Sequence, residues 1–250
     1  MRKTLIATSS VLALLISTAL VQAQQGSQNQ PAPKAQPKAD AQTATAPKSE
    51  DMKVDMEKIY KGMRAKDIVG QTVYGANGDS IGEIENILVN TNAVATAIVV
   101  EAGGFLGIGD AHFRVPFKDV NFTPFKDGVK IPITETQAAK WGLYDGDEVV
   151  WKNPREFRIT ELIGDYVRLK SGASFGYVDD VILDTGGKLQ AVVVNGSRTY
   201  GYGLYAYPFY GYRHGFDPGL NHIVLPIATP DEAKKADKVD TKKFSKTAGK

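Results

Sequence analysis

The chain has 250 residues, 42% of them hydrophobic, 23% charged and none cysteine, with 30 basic residues against 28 acidic ones. The lack of cysteine excludes disulfide staples and thiol chemistry, so stability has to come from apolar burial. The near balance of charge excludes the basic footprint of a nucleic-acid binder.

Arg2 and Lys3 precede an apolar run from Leu5 to Val21, which closes on Val21-Gln22-Ala23 before a polar stretch. A charged start, an apolar middle and a small-x-small end make residues 1–23 a secretory signal peptide cut after Ala23. Cleavage removes the two excess positive charges and places the mature protein in the periplasm or outside the cell. If the signal stays uncut it anchors the chain in the inner membrane, because the run approaches the roughly 17–25 residues of a spanning helix. Residues 24–51, with Gln30-Pro31-Ala32-Pro33 as an example, hold too little apolar surface to offset the entropy of ordering and read as a disordered linker. Met52, Met56, Ile59, Tyr60 and Met63 then recur at helical spacing, which predicts a helix within 52–65 that covers a barrel edge or mouth.

From here the chain repeats itself. Asp67-Ile68-Val69-Gly70 matches Glu161-Leu162-Ile163-Gly164, an offset of 94 that also carries Gly82 onto Gly176, Ile84 onto Val178, Ile87 onto Val181, Val89 onto Leu183 and Ala97-Ile98-Val99-Val100 onto Ala191-Val192-Val193-Val194. Further on, His112-Phe113-Arg114-Val115-Pro116-Phe117 reads best against His222-Ile223-Val224-Leu225-Pro226-Ile227 at an offset of 110, which implies a 16-residue insertion in the second copy. The copies span 66–123 and 158–228, and the insertion lies within 197–219. Each copy is a series of short β-branched segments between turn signals. Asn77-Gly78 and Ser171-Gly172 mark hairpins, and the step from Ile84 to Ile87 breaks strict alternation and predicts a bulge. The connector, 124–157, reads as mostly irregular with one short helix, Thr134 to Trp141, started by Thr134 with Gln137 three residues on. Residues 229–250 read as a lysine-rich disordered tail able to touch an acidic membrane surface.

These residues resemble the PRC-barrel domain, which is shared by the cytoplasmic part of the photosynthetic reaction-centre H subunit and the C-terminal half of the ribosome maturation factor RimM. The likeness rests on Asp67-Ile68-Val69-Gly70, Gly78-Asp79-Ser80-Ile81-Gly82-Glu83-Ile84, Gly103-Gly104-Phe105-Leu106-Gly107-Ile108-Gly109 and Val115-Pro116-Phe117. It implies an all-β fold of two tandem small barrels that makes protein contacts and has no catalysis of its own. The export signal separates this chain from cytoplasmic ribosomes, and the long anchor helix expected of a reaction-centre H subunit is absent unless the signal itself is retained, so neither named role is transferred.

Several patterns suggest chemistry and are answered by simpler readings. Gly172-Ala173-Ser174-Phe175-Gly176 spells a nucleophile elbow, which requires a helix after the serine; Tyr177 to Leu183 instead reads as a strand, and Gly78-Asp79-Ser80-Ile81-Gly82 stands at the same place in the first copy. The glycines at 103–109 lack the Gly-Lys-Ser/Thr of a phosphate loop. His112 and His222 fall on equivalent repeat positions, and His214 is the third histidine; strand capping accounts for the pair better than metal binding. Asp179 and Asp180 are adjacent on a strand and point to opposite faces.

The segment that composition singles out is 197–219, where Tyr200, Tyr202, Tyr205, Tyr207, Phe209, Tyr210 and Tyr212 alternate with small residues. Tyrosine gives a large amphipathic contact area at low entropic cost, so these residues are the nominated interaction surface. The competing reading is a ribbon whose rings pack inward. No residue is nominated as catalytic, and no cofactor or metal is expected. The expected function is a non-enzymatic protein-interaction or assembly module in the bacterial envelope with a protein partner; the alternative is a periplasmic protein that stacks glycan or lipid headgroups on the tyrosines.

Overall fold

A computed structural model describes residues 53–102, 111–138, 155–200, 202–209, 211 and 216–244. The signal, the linker, the glycine loop at 103–109, Trp141, Tyr210, Tyr212 and His214 lie outside these residues. The described part lies within one unit, Thr43–Lys250.

Helix α1 (Met56–Lys61) starts on Asp55, whose carboxylate accepts from the N–H groups of Glu57 and Lys58 at 3.1 and 3.3 Å. It is shorter than the apolar spacing predicts because Met63 leaves the helix to pair with Leu183 in a strand. That strand, β1 (Met63–Arg64), leads through α2 (Ala65–Ile68) into β2 (Thr72–Tyr74), β3 (Ser80–Asn90), β4 (Ala95–Ala102), β5 (Ala111–Pro116), β6 (Asn121–Phe125), β7 (Gly128–Lys130) and α3 (Glu135–Ala138). The second copy runs β8 (Glu156–Arg158), α4 (Ile159–Leu162), β9 (Tyr166–Leu169), β10 (Ser174–Leu183), β11 (Leu189–Gly196), β12 (Leu204–Tyr207), β13 (His222–Leu225) and α5 (Pro230–Ala233). The predicted bulge falls where the register slips between Ile84 and Asn86, and again between Val178 and Asp180. Gly82 and Gly176 are the points of closest approach: a Cβ at either would overlap the carbonyl oxygen of Glu101 or Asn195.

One sheet has the order β5-β4-β3-β2-β7-β6, the other β12-β11-β10-β9-β13. Neither closes on itself, so the expected barrels are two open mixed sheets. Their inner faces share one core, in which Ile84, Ile87 and Val89 join Val178, Val181 and Leu183. The copies also exchange their first strands. β1 adds to β10, with Arg64 opposite Ile182, and β8 adds to β3, with Arg158 opposite Leu88. Both pairings relate residues through the same offset, which makes the exchange a pseudo-twofold. On its axis Val94 bridges Lys188, flanked by Ala95 N–H to Gly187 C=O at 2.8 Å and Leu189 N–H to Ala93 C=O at 2.9 Å.

Strand register corrects three expectations. Val100 faces Phe113 in the first sheet as Val194 faces Tyr205 in the second, and Ile98 faces Val115 as Val192 faces Tyr207. The tyrosine segment is therefore the counterpart of β5 and is not inserted. His222 faces Tyr166 where Gly128 faces Thr72, so its counterpart is Gly128, not His112. The two histidine segments look alike because both are strands that alternate apolar residues before a proline. Second, the supposed connector contains β7, the end of β6 and most of β8, all in the first sheet; the pairing of β7 with β2 and of β8 with β3 joins distant residues, which local pattern does not show. Third, the lysine-rich tail is ordered to Phe244. Thr229 and Glu232 form a capping box at α5, the Ala206 N–H donates to Asp237 C=O at 3.0 Å and the Val239 N–H to Leu204 C=O at 2.9 Å. Edge strand β12 needs that backbone partner, and single anchors such as Ala233 and Val239 vanish in an averaged lysine-rich composition.

Candidate interaction surface on the second sheet

The nominated tyrosines divide by strand phase. Tyr205 and Tyr207 are 3% and 1% exposed and belong to the core, with Phe175 6.1 and 6.2 Å from their rings. The Tyr207 hydroxyl donates to Ala233 C=O at 2.6 Å, and burial pushes its pKa well above the ordinary 10.0. Tyr200 is half-buried and stacked on Phe175 at 6.4 Å; Phe209 is half-buried between Phe157 and Phe216. Among the described nominees, Tyr202 alone projects, 64% exposed, with the Arg198 guanidinium against its ring and hydroxyl. Inward packing holds for Tyr205 and Tyr207, because β12 has to supply the core side chains that Phe113 and Val115 supply in the first sheet.

The open aromatic surface lies instead across the outer face of the second sheet. Register places His222, Tyr166, Tyr177, Asn195 and Leu204 side by side on five adjacent strands. Tyr166 is 58% exposed and Tyr177 44%, and the Asn195 amide donates to the Tyr177 hydroxyl at 2.9 Å. The next row holds Val224, exposed Arg168 and Ser174. The corresponding row of the first sheet reads Gly128, Thr72, Glu83, Glu101 and His112, with threonine in place of Tyr166 and carboxylates in place of Tyr177 and Asn195. The signal for this row was the outward phase of Tyr166-Val167-Arg168-Leu169, which a search centred on tyrosine density passes over. At the far end of the same face, Ile182, Ala191 and Val193 are covered by Ile59 of α1 and by Val239 and Phe244 of the tail.

The remaining singled-out residues are structural in placement. Ser174 opens strand β10, so no helix follows it. His112 is buried, with its Nε2 3.3 Å from Oε2 of the bulged Glu85. Asp179 pairs with Lys66 at 3.2 Å and Asp180 with Arg64 at 2.8 Å, each holding the other copy. Burial nonetheless keeps the Asp180 carboxyl above its ordinary pKa, although Arg64 and the Lys66 and Val181 N–H groups oppose it. Asp165 is buried with Oδ2 unpartnered, and desolvation plus the charge of Glu161 push its pKa up to about 6.

Two interlocked copies of a small β-unit, with an exposed aromatic face on one of them, define the class: a tandem all-β module. The profile of the PRC-barrel domain matches residues 61–138 and 154–229, more than half of the chain. The chain belongs to the PRC-barrel domain family, in two tandem copies. No curated protein matches it.

Proposed function

We propose that this is a non-enzymatic, exported PRC-barrel protein that works as a protein-interaction or assembly module in the bacterial cell envelope, its two barrel-type units forming one rigid scaffold. The observation that carries this reading is the exposed row of Tyr166 and Tyr177 on the second sheet. Side-by-side tyrosines on a rigid sheet offer contact area at little entropic cost, and Tyr is enriched where protein interfaces are hot. The signal-peptide pattern of residues 1–23 supports the envelope as location. With Tyr205 and Tyr207 in the core, a glycan- or lipid-stacking platform in segment 197–219 has far less surface to work with.

The test is a photocrosslinking residue placed at Asn195, beside Tyr177, in cells that export the chain. A discrete protein adduct that disappears in the Tyr166→Ser/Tyr177→Ser variant is the expected result. Specific retention on peptidoglycan or lipid vesicles, lost in the same variant and without a protein adduct, transfers the surface to the alternative ligand class and overturns the proposal. Mass spectrometry of the mature N-terminus checks export, for which a start at Gln24 is expected.

A further inference from the structure

The two sheets differ at one edge. In the first, β7 pairs with β2 on one side and with β6 on the other, Asn121 opposite Lys130 and Phe125 opposite Gly128. In the second, β13 takes the place of β7 against β9, and among the described residues no strand lies on its other side. The Tyr166 N–H donates to Asn221 C=O at 3.0 Å. In a parallel ladder that phase turns the backbone groups of Ile223 and Leu225 toward β9 and those of His222 and Val224 away from the sheet. Among the described residues, neither His222 nor Val224 has a backbone hydrogen-bond partner on that open side.

What lies above and below this edge matches what β6 covers in the first sheet. On the inner side is a shallow apolar cleft lined by Pro208, Phe209, Phe216, Ile223 and Leu225. In the first sheet Phe122 of β6 fills the same side, packed on Phe117 at 4.8 Å. On the outer side, Phe125 stands edge-on to Tyr74 at 5.3 Å, and the Tyr74 hydroxyl donates to the Asp127 carboxylate. The counterpart of Tyr74 is Arg168, which is exposed beside Val224 and has no ion-pair partner among the described residues. Val224 itself is 41% exposed. The first copy thus carries its own occupant, and the second presents the same edge with a cation where a carboxylate already docks in the first.

We propose that the free edge of β13 is a strand-addition site for an extended segment of a partner protein. The segment runs antiparallel to β13, bonds the outward N–H and C=O groups of His222 and Val224, sets an aromatic side chain over the cleft and faces Arg168 with an acidic one. Backbone pairing gives such sites their affinity, and the cleft and the cation give them selectivity. This deepens the interaction-module reading and rests on it.

The probe is a fluorescein-labelled peptide with the sequence of residues 119–127 bearing Asn121→Glu, titrated into the full mature chain. Saturable fluorescence polarisation is expected, with His222 and Val224 amide resonances shifting. Truncating the aromatic side chain (Phe122→Ala in the peptide) weakens binding about tenfold, as loss of an interface anchor does. Val224→Pro removes the outward N–H and abolishes binding. Because that variant can misfold, Arg168→Glu, on the surface, gives the second reading: binding weakens about fivefold and returns when the peptide carries lysine in place of its glutamate. No saturation up to about 1 mM, the weak limit for peptide recognition, overturns the proposal. So does binding indifferent to Arg168→Glu with shifts at Lys130, which means the probe displaces β6. If the peptide fails while the Asn195 adduct persists, the aromatic face stands and the edge does not.

Discussion

Replacing Asp165 with asparagine separates the cost of a buried charge from the packing around it. The Asp165 carboxyl is buried, Oδ2 has no hydrogen-bond partner, and Glu161 adds a like charge, so its pKa rises from 3.8 to about 6. The folded state therefore binds a proton more tightly than the unfolded chain. The stability this group contributes is complete below about pH 4 and is lost as pH rises through about 6, above which the folded protein carries a desolvated carboxylate. Two units correspond to about 3 kcal/mol, and screening at a site near the surface reduces this to about 1–2 kcal/mol. The first copy has already solved the problem, since Gln71, the counterpart at the same offset, is a neutral amide whose Nε2 donates to Asp67 C=O. Asp165→Asn should leave the urea midpoint unchanged at pH 4, raise stability by about 1–2 kcal/mol at pH 8, and lift Tm there by about 2–8 °C. Equilibrium unfolding at both pH values measures the difference. A pH-independent shift, or a loss of stability at pH 8, refutes the electrostatic account.

Arg64→Ala leaves Asp180, which is 1% exposed, without its cation across the strand exchange; removing one partner of a buried pair costs about 3–5 kcal/mol, read in the urea midpoint, and a loss under about 1 kcal/mol would show the pair to be dispensable. Gly82→Ala and Gly176→Ala each drive a methyl into a carbonyl oxygen of the neighbouring strand, so each should cost more than about 2 kcal/mol by thermal unfolding, with equal effects as the repeat demands. Tyr207→Phe removes the hydroxyl bond to Ala233 C=O and should cost about 1 kcal/mol; limited proteolysis should then cut within 234–244 sooner than in the parent chain.

Much of the β-core was legible because burial leaves a period in the residues. The offset that relates Ile84, Ile87 and Val89 to Val178, Val181 and Leu183 predicts both core layers, and the broken alternation at Ile84 to Ile87 predicts the bulge that both long strands contain. Strand exchange was not legible. Met63-Arg64 and Phe157-Arg158 are too short to carry a pattern, and their partners lie more than a hundred and about seventy residues away. The inward turn of Tyr205 and Tyr207 was not legible for a related reason. Tyrosine density in 197–219 reports how much aromatic area a segment has, whereas strand pairing decides which rings turn inward, and β12 turns Tyr205 and Tyr207 into the core. Tyr166 and Tyr177, one ring on each of two neighbouring strands, form a row only once β9 is paired with β10.

The pseudo-twofold also explains how two copies could diverge without losing each other. At the axis Val94 meets Lys188, a contact that two identical copies would turn into Val–Val or, far worse, Lys–Lys. Around it, the Asn86 amide donates to the Thr160 hydroxyl at 2.6 Å, while the matched contact joins the Lys66 N–H to Asp180 at 3.1 Å and recruits Arg64. One side is neutral and the other ionic, so each copy's exchanged strand has a proper seat only on its neighbour. Specificity is thereby confined to the interface between the copies, and their outer faces are free to differ. The first sheet covers its own β7 edge with β6 and carries carboxylates along its outer row; in the second, no strand among the described residues covers β13, which lies beside tyrosines and a cation. Among the described residues, the duplicated unit thus completes one sheet edge with a strand of its own and leaves the matching edge of the other copy without one.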